Sequence, residues 1–319
     1  DTFNRTDSDY DASQTIVSLF CRQAKATPQN VAVVFKDKTY SYAEVNQLSD
    51  RIAAYISRQG LDVEDVVSVL IPRCEWMVIA SLGVLKAGCA YQPLDPTYPQ
   101  ERLNFMMKDA NARLLIADEQ LRGIVNEYEG EVLFTKEIAS LPKAEAPQVD
   151  VNPESLFILL YTSGSTGVPK GCQLTHGNLV AFCHWYQKFY EMQPTDKVAA
   201  YASYGFDACM MDLYPALTSG ACVHIIPEET RHDMSELSAF ISDNHITHSF
   251  MTTQVGVMFA RNFPGNPSLK HLSVGGEKLV SIDPPAYAFH NGYGPTECTI
   301  FSTIFDVKQK EANIPRSEE

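Results

Sequence analysis

Short apolar runs alternate with segments of helical period along nearly the whole chain, and this alternation limits the folds open to it. Strand candidates are residues 31–35, 66–71, 113–117, 131–134, 156–162, 197–202, 222–226, 247–251 and 271–274. Helical patterns lie between most of them. Ser41 and Glu44 form a capping box ahead of Val45, Leu48, Ile52 and Ile56, which share one helical face, and Gly60 closes that helix. Pro72 stops the run at 66–71, and Trp76, Ile79, Leu82 and Leu85 predict an amphipathic helix ended by Gly88. Residues 176–190 and 235–244 are further helical stretches, and residues 142–153, rich in Pro, Ala and charge, form the best internal connector. Strands alternating with helices predict an α/β architecture with largely parallel sheets.

Composition narrows the partners. At ~150 residues per domain, 319 residues correspond to about two compact units. With 45% hydrophobic and 20% charged residues, the chain is ordinary globular protein and not a disordered one. The 39 acidic and 25 basic residues give a net charge of −14, which argues against nucleic acid or an anionic membrane as partner. A small anionic ligand stays open, because backbone N–H groups hold phosphate without net positive charge. Cysteines at 21, 74, 89, 172, 183, 209, 222 and 298 form no CxxC pair and are read as reduced and mostly buried, which fits a cytoplasmic protein. No run approaches the ~20 apolar residues of a membrane span. The chain opens on Asp1 with no initiator methionine, as a fragment of a longer protein would.

The most informative segment runs from Tyr161 to Gly171, Tyr-Thr-Ser-Gly-Ser-Thr-Gly-Val-Pro-Lys-Gly. It follows an apolar run and is expected as a loop at a strand end. Gly164, Gly167 and Gly171 let backbone N–H groups turn inward, Thr162, Ser163, Ser165 and Thr166 add donors, and Lys170 adds charge. That is a phosphate cradle. It is not a Walker A loop, because Pro169 stands where a glycine is needed and Gly171 follows the lysine.

This segment resembles the phosphate loop of the adenylate-forming enzymes, which include acyl-CoA synthetases, firefly-type luciferases and the adenylation domains of nonribosomal peptide synthetases. Other stretches resemble the peptide synthetase motifs in family order. Tyr40 to Asn46 is similar to the first, with Val45 where leucine is usual. Leu85 to Pro99, followed by Arg102, is similar to the second. Phe206-Asp-Ala-Cys209 is similar to the fourth, with Cys209 for the usual serine, and Asn291-Gly-Tyr-Gly-Pro-Thr-Glu297 to the fifth. The resemblance covers residues 15 to about 305. Phe3-Asn-Arg-Thr-Asp resembles the linker that follows a condensation domain, so residues 1–12 are expected as linker and 13–319 as the large N-terminal core of an adenylation (AMP-binding) domain.

The resemblance implies ATP-dependent activation of a carboxylate, giving an acyl-adenylate and pyrophosphate. Thr162, Ser163, Gly164, Ser165, Thr166 and Gly167 would hold the pyrophosphate end, and Lys170 either assists there or serves the loop's conformation. Asn291 would meet the adenine edge, Tyr293 would stack on the ring, and Gly276, Glu277 and Gly294 would border the nucleotide. Thr296 would reach the α-phosphate and Glu297 would ligate Mg²⁺. Thr162, Ser163, Lys170, Thr296 and Glu297 form the expected catalytic set. Asp207 would pair with a substrate ammonium, although capping the following helix is an alternative role. Ala208, Met211, Phe250, Ser273, Gly275, Gly292, Ile300 and Phe301 transfer as pocket positions. They are apolar with one hydroxyl, with depth left by Gly275 and Gly292. This predicts an uncharged, apolar α-amino acid, first Val, Leu or Ile and second an aromatic one.

The implied partners are a condensation domain and a peptidyl carrier domain whose phosphopantetheine thiol accepts the amino acid, with no nucleic acid and no membrane. The family's Thr-Gly-Asp, hinge and C-terminal lysine motifs are not found after residue 297, so the chain is expected to be a truncated core that lacks the lid and adenylates poorly alone. An acyl- or aryl-CoA synthetase core, or a non-catalytic core fragment, is the alternative. His245 and His248 lack companions at metal-ligand spacing and are read as ordinary surface or strand histidines. Glu228, Glu229 and Arg231 are read as a solvated loop.

Overall fold

In the computed structural model, residues 8–162 and 169–310 are described. The strands in chain order are β1 (Val31–Phe35), β2 (Lys38–Ser41), β3 (Val66–Leu70), β4 (Ala90–Leu94), β5 (Leu114–Ala117), β6 (Glu131–Phe134), β7 (Leu156–Thr162), β8 (Lys170–Thr175), β9 (Lys197–Ala200), β10 (Cys222–Ile225), β11 (His248–Thr252), β12 (His271–Gly275), β13 (Ala288–Tyr293) and β14 (Thr303–Asp306). They form two sheets, in the orders β14-β13-β12-β11-β9-β10-β1-β2 and β6-β5-β3-β4-β7-β8. Interior pairs are parallel, and β2, β8 and β14 add antiparallel at the edges. The expected α/β class with largely parallel sheets is what is observed.

The capping box at Ser41 forms as expected: the Glu44 N–H donates to the Ser41 hydroxyl and the Ser41 N–H to the Glu44 carboxylate, at 3.2 and 2.8 Å. Gly60 and Gly88 follow their helices with φ of +69° and +82°, values that suit glycine. The helix Trp76–Lys86 departs from expectation. It is not amphipathic, since every residue from Met77 to Lys86 is buried. Its side chains share one core cluster with residues of both sheets, such as Val33 and Val223 on one and Val67 and Leu114 on the other. Even Lys86 is buried, satisfied by Asp50 at 2.7 Å and the Asn46 side chain at 2.8 Å, so the first two sequence motifs are tied to each other.

Five strands escaped the periodicity reading: β2, β4, β8, β13 and β14. β4 carries Pro93 in the middle of its sheet, where proline is unusual. The recorded pairing of β4 with β7 is Tyr91 with Ile158. β8 and β13 are interrupted by glycine and polar residues, which hides their strand period, although each pairs antiparallel with a strand nearby in the chain. His245 is exposed, whereas His248 is a buried strand residue; its ring stacks on His271, which stacks on His290, with centroids 4.9 and 5.4 Å apart. Ser8 and Tyr10, within the expected linker, lie against His184. No described helix is long and apolar enough to cross a membrane.

Candidate functional site

Parallel strands leave their carboxyl ends on one edge of a sheet, where α/β proteins place ligands. The segments after β9, β11, β12 and β13 converge there on a cavity of about 250 Å³. Asp207, Ala208, Phe250, Gly275, Gly292, Ile300 and Phe301 line it, together with Gly276 and Gly294. Two expected pocket residues do not. Met211 points into the core from the helix Ala208–Ser219, and the Ser273 hydroxyl is spent on Tyr190 at 2.6 Å.

The depth expected from the glycines is already filled. A Cβ built on Gly292 would overlap the ring of Phe301, and one on Gly275 would lie 3.4 Å from both Phe250 and Phe301. Glycine is needed there because the ring approaches the backbone, so Phe301 closes the cavity that Gly292 was expected to deepen.

Asp207 stands at the N-cap position of the helix Ala208–Ser219, yet its side chain makes no capping hydrogen bond to that helix's first turn. Burial pushes its carboxyl above the ordinary value, and the nearby Glu297 charge adds to this, while a hydrogen bond from the Thr296 side chain works the other way. A half-buried carboxylate beside an apolar cavity is costly unless a cation meets it.

β13 separates two sets of residues. Successive side chains on a strand point to opposite faces, so Asn291 and Tyr293 lie on one side and Gly292 faces the cavity on the other. Asn291 is 5% exposed, and its Oδ1 has no hydrogen-bond partner among the described residues. An orphaned acceptor of this kind fits a ligand that brings an N–H donor, as an adenine amine does. The chain then turns through Gly294 and Pro295 into the 3₁₀ turn Thr296–Cys298, which packs on β8. Glu297 is exposed on that turn. Among the described residues, no group of three or more His, Cys, Asp or Glu is placed to hold a metal ion. A Mg²⁺ ion that takes one carboxylate and otherwise phosphate oxygens and water needs no such group, so Glu297 is compatible with one arriving with a nucleotide.

The expected phosphate loop follows the end of β7, which pairs antiparallel with β8. Thr162 on β7 pairs with Lys170 on β8, and Tyr161 with Gly171. Lys170 is therefore held at the base of the loop. Ser163, Gly164, Ser165, Thr166 and Gly167 lie outside the described residues. Gly276, at φ +96°, has open space where a side chain would stand. The Glu277 N–H donates to the Thr253 hydroxyl at 3.3 Å.

Several cavity residues were not anticipated. Arg231 belongs to a short helix, Glu228–Arg231, and not to a solvated loop; its guanidinium lies over Tyr201, meets Glu228 at 2.8 Å and borders the cavity. Arg73 donates to the carbonyls of Ala200, Tyr201 and Ala202, and Asp212 accepts the N–H groups of Tyr201 and Ala202 at 2.9 and 2.8 Å. These long-range clamps hold the wall formed by Tyr201, Ala202 and Ser203. Their sequence signal was only a charged residue inside an apolar stretch, as with Asp212 between Met211 and Leu213.

Residues 20–317 match the family described as AMP-binding enzyme, and the chain belongs to that family. It is 36% identical to bacitracin synthase 1 of Bacillus licheniformis over 99% of its length, and 34% identical to surfactin synthase subunit 1 of Bacillus subtilis (strain 168) over 94%. It spans only 6% and 8% of those two proteins. Its fold is that of the nonribosomal peptide synthetase FmoA3 in an AMPPNP-bound form, at a TM-score of 0.89 and 21% identity, covering 97% of this chain and 34% of that one. It is also that of the Klebsiella oxytoca NpsA N-terminal subdomain in complex with 3-hydroxybenzoyl-AMSN, at a TM-score of 0.85 and 22% identity, covering 97% of this chain and 80% of that one.

Proposed function

We propose that this chain is the core of an amino-acid adenylation domain. It would activate an uncharged, apolar α-amino acid with ATP, for loading onto a carrier-protein phosphopantetheine in a nonribosomal peptide synthetase. The observation that carries the reading is Asp207, a half-buried carboxylate on the rim of an apolar cavity, beside the segment that bears Thr296 and Glu297. The likeness to bacitracin and surfactin synthases supports it.

ATP supplies the α-phosphorus that the substrate carboxylate attacks, with pyrophosphate as leaving group. The chain's own residues orient the reactants and stabilise charge. Asp207 takes the substrate ammonium, which offsets the cost of burying its charge. Ala208, Phe250, Ile300 and Phe301 enclose the side chain. Asn291 and Tyr293 take adenine, Thr296 the α-phosphate, and Glu297 a Mg²⁺ ion. Thr162, Lys170 and the loop between them take the pyrophosphate end. The ring of Phe301 against Gly292 favours a Val-, Leu- or Ile-sized side chain over an aromatic one. The net charge of −14 is no obstacle, because the anion would meet local donors and a metal.

The test is pyrophosphate exchange with each of the twenty amino acids and a set of aryl and fatty acids, using this core within an intact adenylation domain. Branched aliphatic amino acids should support exchange. Exchange with aryl or fatty acids and none with amino acids would replace the reading with an acyl- or aryl-CoA synthetase.

A further inference from the structure

We propose that Asp95 and Tyr98, which follow β4 in the six-stranded sheet, are positioning residues for Asp207 in the other sheet. The stretch Asp95-Pro-Thr-Tyr98 belongs to the second sequence motif, to which the function above gives no role. Asp95 folds it into a turn, its Oδ1 accepting the Thr97 N–H at 2.9 Å and the Thr97 hydroxyl at 2.7 Å. The other oxygen crosses to the far sheet and accepts the Ser203 hydroxyl at 2.5 Å. Burial disfavours the charged carboxyl, but the hydrogen bonds from Ser203 and Thr97, with the Arg231 charge nearby, outweigh it and hold Asp95 below its ordinary value.

Tyr98 makes the second contact. A Cβ on Gly205 would lie 2.9 Å from the Tyr98 hydroxyl and 3.6 Å from the Asp95 Cβ, so the Ser203–Gly205 backbone rests directly on this turn. The Arg102 guanidinium stacks on the other part of the contact, 4.1 Å from the Tyr98 ring centroid. From Ser203 the position passes to Asp207 through short local bonds. The Phe206 N–H donates to the Ser203 carbonyl at 3.0 Å, which fixes the residue that immediately precedes Asp207 in the chain. Asp207 follows this turn directly; the Ala208 N–H and the Thr296 side chain also act on its carboxyl, so a shift of the Ser203–Phe206 turn moves the backbone that carries it relative to them.

This inference rests on Asp207 binding the substrate ammonium, and two measurements keep the claims apart. The first needs no ligand: Asp95→Ala should speed hydrogen exchange at the amides of residues 203–209 by about tenfold, with β13 unchanged. Equal exchange in variant and parent would overturn the positioning role. The second is binding of a non-hydrolysable valyl-adenosine sulfamate and, separately, of ATP. Asp95→Ala should weaken the valyl compound by about tenfold and ATP by less than about twofold, and Asp95→Asn, which keeps an oxygen for Thr97 and an amide for Ser203, should recover most of the loss. An equal loss for both ligands, or a loss that Asp95→Asn does not recover, would reduce Asp95 to a structural residue. No binding of the valyl compound by the parent chain would count against the proposed function instead, with the exchange result still deciding the positioning.

Discussion

Phe301 occupies the space that a side chain on Gly292 would need, so the two residues are a matched pair across the β13–β14 turn. Phe301 also borders a larger groove of about 690 Å³, lined in part by Phe182 and Trp185. Phe301 therefore lines both spaces. Phe301→Ala should lower affinity for a valyl-adenosine sulfamate and raise it for the phenylalanyl analogue, a relative swing of about tenfold. Gly292→Ala should cost about 1–3 kcal/mol of stability by overpacking against the ring, and adding Phe301→Ala should recover part of it. Calorimetry and thermal denaturation read the two effects. An unchanged ratio of the two ligands in Phe301→Ala would show that the ring does not set the size of the pocket.

Asp207 borders the cavity and lies next to the Thr296–Cys298 turn, where the Thr296 side chain lowers and the Glu297 charge raises the pKa of its carboxyl. Asp207→Ala should weaken an aminoacyl-adenosine sulfamate by about tenfold to a hundredfold, because a charge-assisted contact to the ammonium is lost. ATP binding should change by less than about twofold. The same variant should bind the deamino analogue, which has no ammonium, about as well as the parent does. A parent chain that does not distinguish the amino from the deamino compound would remove the ammonium role.

Asp212 gives a pH dependence of known sign. Burial pushes its carboxyl from 3.8 up to about 7, against the opposing effects of the Ala202 and Tyr201 N–H groups and the Arg73 charge. Between those values the folded chain binds more protons than the unfolded one, so stability falls as pH rises. The neutral carboxyl's contribution is complete below about pH 4 and is lost as pH rises through about 7. Asp212→Asn keeps an oxygen for the two N–H groups and does not ionise. From about pH 5 to about pH 8 the Tm of the parent should fall relative to that of the variant. A constant difference over that range would place the titration elsewhere.

Much of the architecture was legible because local residues specify local elements. The capping box at Ser41 and Glu44 and the runs at 131–134 and 156–162 appear as read. What failed locally did so for a tertiary reason. β4 is a strand despite Pro93 because it lies between β3 and β7, and Trp76–Lys86 is buried all round because core residues of both sheets pack on it. Arg231 looked like surface charge until Tyr201 and Glu228 were brought beside it.

The sequence by itself determined the α/β class, the family resemblance and the residue types available for phosphate, metal and ammonium. These reside in short contiguous motifs, where glycine, hydroxyl and carboxylate chemistry is independent of distant partners. Only the tertiary structure decided that Phe301 fills the space beside Gly292, that Ser273 is spent on Tyr190, and that Asp95 reaches Ser203. Those contacts join residues that are not chain neighbours, the last two across 83 and 108 positions, and cavity shape is set by how the side chains brought together pack. That is why glycines read as empty depth in the sequence became, in the folded chain, the floor on which an aromatic ring rests.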